Sequence, residues 1–201
     1  NGVVSKWRVG AVTQMQWMFK DAIIFNRELS LWNVAQVTNM AYMFSGAMLF
    51  NQDLSWWNVG SVTNMQSMFN GANAFNGDVS TWNVDKVTSM VSMFRQAITF
   101  NQDLSQWNVS QVKSMHMMFQ GATSFKQVLR GAAWVNSKAR KANMFNNSPG
   151  LIAMRCFSPR SLSHLKFAVE TCLRLSPGNC ITKRYGDIGK WDVFHVFNMD
   201  S

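Results

Sequence analysis

Charge is scarce here. Only 14% of the 201 residues are charged, and there are three prolines, three cysteines and two tyrosines. With 47% hydrophobic residues and so little charge, the chain is not a self-repelling disordered segment. Three prolines and 12 glycines exclude collagen-like or linker-dominated sequence. No run of 18 apolar residues exists, which leaves no candidate transmembrane helix. The opening Asn1-Gly2-Val3-Val4 has neither a basic n-region nor an apolar h-region, so no signal peptide is read.

Chemical motifs are missing as well. There is no glycine-rich phosphate loop, nucleophile elbow or H-E-x-x-H. His116, His164 and His195 are scattered without the spacing of a zinc site. The expectation is a protein without catalytic residues, cofactor or metal.

What the chain does have is methionine, phenylalanine and tryptophan, at 15, 15 and nine copies. Trp7, Trp32, Trp57, Trp82 and Trp107 recur every 25 residues. Counting from each Trp, Val stands at +2 and +5, Met at +8, Met-Phe at +11 and +12, Ala at +15 and Phe at +18. The third repeat reads Trp57, Val59, Val62, Met65, Met68-Phe69, Ala72 and Phe75. An Asn-x-Asp-Leu-Ser turn follows the Phe, as in Asn51 to Ser55. A fixed period of this length marks an array in which each repeat is too small to fold alone and buries its apolar face on its neighbours.

Trp and Val two apart suit a short half-buried strand. Offsets +8, +11, +12 and +15 fall on one face of a short helix, with the Thr at +6 (Thr13, Thr38, Thr63, Thr88) placed as its N-cap. The expected fold is therefore an α/β solenoid of short strand, short helix and turn.

The pattern W-N-V-x-x-V-T-N-M-x-x-M-F-x-x-A-x-x-F-N-x-D-L-S, which Trp57 to Ser80 follows except for Val79 in place of Leu, resembles the BspA-like leucine-rich-repeat surface proteins. That group includes the repeat type named for mycoplasma lipoproteins. The resemblance covers residues 1 to about 125. It implies a right-handed leucine-rich-repeat-like array on a cell-surface or secreted protein that recognises other surfaces, and it carries over no catalytic residues.

Domain organisation follows the frame. Residues 1–125 are the regular array. Residues 126–157 read as a degenerate C-terminal cap, with Trp134 out of register and Met144-Phe145 one residue late. Residues 158–180 hold a linker and an amphipathic helix, with Leu162, Leu165, Val169, Cys172 and Leu173 on one face and Ser176-Pro177-Gly178 as its stop. Residues 181–201 restart the frame at Trp191, Val193, Val196 and Met199. They read as the beginning of a second, truncated array, poorly anchored for want of a stacking partner. The chain thus reads as a window on a larger protein.

The formal charge of +9 is unevenly spread. Residues 1–125 carry seven Lys/Arg against six Asp/Glu, and residues 126–201 carry 12 against four. Lys138, Arg140 and Lys141 form a basic cap. Because the aromatics and the basic residues lie in different parts of the chain, the pattern does not suit nucleic acid as a partner. A solvated cap is the plain reading, and an acidic polysaccharide or anionic surface is the ligand it would suit.

Glu28, Asp53, Asp78 and Asp103 form a carboxylate row, read as turn chemistry supported by the nearby Asn26, Asn51, Asn76 and Asn101 rather than as a calcium site. A second row, Asn33, Asn58, Asn83 and Asn108, is expected to satisfy backbone groups at a bend. The Met rows are core filler. Cys172 and Cys180 bracket a turn that a small disulfide could close, with Cys156 left over; three reduced thiols are the alternative.

Solenoids offer extended surfaces to large partners, so the leading expectation is recognition of a surface protein or glycan from an extracellular or cell-surface location. The alternative is a structural spacer in a cell wall or matrix, without a specific ligand. Variation between repeats nominates Ala35, Gly60, Asp85 and Ser110 at +3, and Ala41, Gln66, Val91 and His116 at +9, as the binding face.

Overall fold

The structure, a computed structural model, describes residues 4–153 together with Ser163, Lys166, Ile181, Thr182, Gly186 and Asp187. The chain divides into two compact units, Asn1–Ile152 and Ala153–Ser201.

In the first unit the 25-residue repeats lie one upon another. A parallel bridge joins the +7 residue of each repeat to that of the next, in the series Gln14, Asn39, Asn64, Ser89, Ser114 and Arg140. From +8 onward the backbone amides alternate in their use. Those at +8, +10, +12 and +14 donate to the following repeat, as Met40 to Asn64, Tyr42 to Gln66, Phe44 to Met68 and Gly46 to Asn70, at 2.7–3.0 Å. Those between them close turns three residues back, as Met43 to Met40, Ser45 to Tyr42 and Ala47 to Phe44. Half the amides build the stack and half shape the repeat.

The helix expected over +8 to +15 is therefore replaced by consecutive turns. The cause is backbone handedness. Every repeat places a residue with positive φ at +10 (Trp17, Tyr42, Ser67, Ser92, Met117, Asn143), where a right-handed helix cannot continue. A second follows at +14, filled by Gly46, Gly71 and Gly121 but also by Asp21, Gln96 and Asn147. The burial pattern is still that of one apolar face, because each three-residue turn returns the chain to the same side. Met65, Met68, Phe69 and Ala72 are fully buried. From Trp32 on, Trp and Val at 0 and +2 are buried too, but in turns and irregular chain rather than a strand. The Thr at +6 caps no helix: Thr38, Thr63 and Thr88 each donate their Oγ1 to the carbonyl of the Thr one repeat earlier, at 3.1–3.2 Å.

Three aromatic columns run through the core. The Trp column from Trp7 to Trp107 has ring spacings of 6.1–6.4 Å. The +12 Phe column spaces its rings 5.4–5.6 Å apart from Phe19 to Phe145. The +18 column, Phe25 to Phe125, spaces them 5.8–6.0 Å apart. Within one repeat the two Phe rings stack closely, at 3.9 Å for Phe69 and Phe75. Burial at this scale contributes about 1.5–3 kcal/mol per large apolar side chain.

Each buried Trp keeps its indole N–H satisfied. Nε1 of Trp57, Trp82 and Trp107 donates to the carbonyl of Leu29, Leu54 and Val79 in the preceding repeat, at 2.9–3.0 Å.

Residues 126–152 continue this arrangement as a sixth layer. Trp134, two residues late in sequence, is fully buried and donates to the Leu104 carbonyl at 2.8 Å, as the earlier Trp residues do. A four-residue helix, α1 (Ala132–Val135), takes up the extra residues ahead of the next turn. Strand β1 (Val128–Leu129) pairs in parallel with β2 (Leu151–Ile152), in the register Val128 to Leu151 and Leu129 to Ile152. Gly150 is buried against the ring of Phe125, where a Cβ would collide with the ring edge.

In the second unit, β3 (Ile181–Thr182) and β4 (Gly186–Asp187) pair antiparallel, with Ile181 opposite Asp187 and Thr182 opposite Gly186. The Cys172 and Cys180 pair, Cys156, the apolar face from Leu162 to Leu173 and the restarted frame at Trp191 lie outside the described residues.

Candidate recognition surface

The outer surface of the stack is built mostly from turns pinned by Asn and Asp. Asp53, Asp78 and Asp103 each accept the backbone N–H two residues on, at 2.8–2.9 Å, and Glu28 accepts the hydroxyl of Ser30. Their partners are thus within their own turns. The neighbouring asparagines serve the stack instead: Asn26, Asn51, Asn76 and Asn101 accept the N–H of the residue one repeat later, at 2.8–2.9 Å. Asn33, Asn58, Asn83 and Asn108 accept the amide two residues on, which closes the bend after each Trp. No group of three His, Cys, Asp or Glu among the described residues is arranged to hold a metal ion.

The two nominated rows differ in exposure. At +3, Asp85 and Ser110 are exposed, and Ala35 and Gly60 are half-buried. All four give their amides to the Asn bends. At +9, Ala41 is buried, while Gln66, Val91 and His116 are half-buried. His116 Nδ1 lies 2.9 Å from the Ala142 carbonyl, and Gln66 donates to the Tyr42 hydroxyl at 2.6 Å. This row joins repeats together and offers little free face, because the +9 carbonyls are acceptors for the previous repeat.

In the basic cap, Lys138 and Arg140 are exposed. Lys141 is not available to an anion in the same way. It occupies the buried Met position of the frame, and its Nζ donates to the Ser137 and Ala139 carbonyls at 2.5 and 3.3 Å. Burial there pushes its amine below the usual lysine range.

The feature that the frame alone does not reveal is a concentration of exposed apolar side chains. Among the described residues, Trp7, Trp17, Met18, Ile23, Ile24, Leu31, Met48, Leu49 and Trp56 are large, apolar and exposed. Beyond Trp56 only Ile98 and Leu151 join them. Leu31 and Trp56 occupy the same position of adjacent repeats and are 83% and 82% exposed, against Thr81 and Gln106 further along. An open groove there is lined by Glu28, Ser30, Leu31, Gln52, Asp53 and Trp56. The signal in the sequence is the second Trp of Trp56-Trp57, which the frame does not require.

Two overlapping stretches, residues 1–74 and 52–152, match the family described as "Mycoplasma protein of unknown function, DUF285". The chain belongs to this family. The DUF285 matches end at Ile152, which is also where the first compact unit ends. No curated protein and no solved structure matches the chain. No helix among the described residues is long and apolar enough to cross a membrane.

Proposed function

We propose that this DUF285 chain is a non-enzymatic recognition module: a leucine-rich-repeat-like solenoid, of BspA-like surface-protein character, that binds a protein or glycan from the cell surface or the extracellular space. The observation that carries this reading is the exposure of Ile23, Ile24, Met48 and Leu49 at +16 and +17 of two adjacent repeats, with Leu31 and Trp56 beside the next Trp of each. Large apolar side chains repeated at one exposed frame position mark interaction sites. A spacer has no use for them, since a passive array is served by the Thr and Gln that hold the position of Trp56 at Thr81 and Gln106.

The location is tested by protease treatment of intact cells of the native source, followed by mass spectrometry of the released peptides. Peptides from residues 1–152 released before lysis are the expected result. Their release only after lysis overturns the surface location.

A further inference from the structure

The Leu31–Trp56 groove is chemically lopsided. Its two apolar side chains are more than four-fifths exposed, and the charged groups that line it are the carboxylates of Glu28 and Asp53. Asp53 uses Oδ1 on the Ser55 amide, and Glu28 uses Oε1 on the Ser30 hydroxyl. The second oxygen of each carboxylate is left for a ligand. Going along the stack past Trp56, the same row continues as Asp78 and Asp103. Going the other way, Lys6 holds the frame position of Leu31 one repeat earlier, and Arg27 precedes Glu28. Negative potential therefore grows from the Leu31 end toward the Trp56 end.

Resting on the recognition reading above, the geometry points to a basic peptide segment of a partner protein as the occupant of this groove. An Arg or Lys of the partner lies over the exposed Trp56 ring, where the π-face attracts a cation, and pairs with Asp53. An aliphatic residue of the partner covers Leu31, away from Asp78 and Asp103. The row of carboxylates, repeating once per layer, favours an extended segment with further basic residues over a single isolated cation.

The test uses the whole 201-residue chain and three probes: a hexapeptide alternating Arg and Leu, its Glu/Leu counterpart, and a neutral chito-oligosaccharide. Binding is read by titration calorimetry at low and at high salt. Trp56→Gln copies the residue that Gln106 supplies at the same position, and Asp53→Asn keeps the Oδ1 that closes the turn, so both variants retain the fold.

The Arg/Leu peptide is expected to bind, each variant to weaken it about fivefold, and added salt to weaken it further. Asp21→Asn, an exposed carboxylate paired with Lys20 and outside the groove lining, is expected to leave binding unchanged. Equal binding of the Arg and Glu peptides, or no loss in Trp56→Gln, overturns the assignment. Trp56-dependent binding of the oligosaccharide in preference to the peptide also overturns it, while leaving the recognition reading intact. Binding of none of the three probes overturns the assignment too, and the surface location is tested separately by the protease experiment on intact cells.

Discussion

At the scale of single residues, the frame contains positions where backbone shape and side chain disagree. The +14 position is left-handed throughout; Gly46, Gly71 and Gly121 accept it freely, whereas Gln96 holds φ 56° with a Cβ. Left-handed conformation costs a non-glycine residue roughly 1–2 kcal/mol, and Gln96 is exposed, with little packing to lose. Gln96→Gly is expected to raise unfolding free energy by about 1 kcal/mol, read as a shift of the urea midpoint at constant slope. A second disagreement is Lys141, a lysine where Met15, Met40, Met65, Met90 and Met115 are buried. Its lowered folded-state value means that the unfolded chain binds the proton more tightly. The folded state therefore carries the full penalty at neutral pH and is relieved as pH rises toward the ordinary lysine value of about 10.4. Lys141→Met should raise Tm at pH 7 by no more than about 2 °C, because the half-buried amine is screened by solvent, and the advantage over the parent should shrink in melts taken at progressively alkaline pH. An advantage that grows with pH would contradict the assignment.

At the scale of the repeat, cohesion comes from bonds that cross between layers. Asn76 exemplifies this, accepting the Asn101 amide at 2.9 Å and the Gln102 side chain at 3.2 Å. Asn76→Ala should cost about 0.5–1.5 kcal/mol, because it removes an exposed bond between layers that water only partly replaces, and hydrogen exchange should accelerate at Asn101 before it does at Thr88. The buried set was legible in the sequence: Met65, Met68, Phe69, Ala72 and Phe75 stand at the offsets that recur, and all are fully buried. The type of element was not. Spacings of three and four suit both a helix and a series of three-residue turns, and what separates them is the handedness at +10 and +14. The three glycines at +14 were the available sign of the second; Tyr42, Ser67 and Met117 at +10 give none. The groove was illegible for a different reason. Comparing repeats at +3 and +9 selects positions that vary, yet Ala41 is enclosed, while Leu31 and Trp56 stand out by exposure.

At the scale of the molecule, residues 4–152 form one stack whose layers differ in apolar exposure. The layers around Trp82 and Trp107 keep the columns with little apolar exposure, whereas Ile23, Ile24, Met48 and Leu49 are exposed at +16 and +17 of the first two. Stability in such an array is close to a sum of layer and interface contributions, so whole layers are interchangeable and part-layers are not. The direct test is to excise residues 82–106, which joins Thr81 to Trp107 and leaves the frame intact, and to compare it with excision of residues 82–93, which breaks it. The first deletion should keep a cooperative urea transition, with the Trp residues shielded as in the parent; the second should lose both. Loss of cooperative folding in the whole-frame deletion, or equal tolerance of the two, would contradict the account that one 25-residue frame is one structural layer.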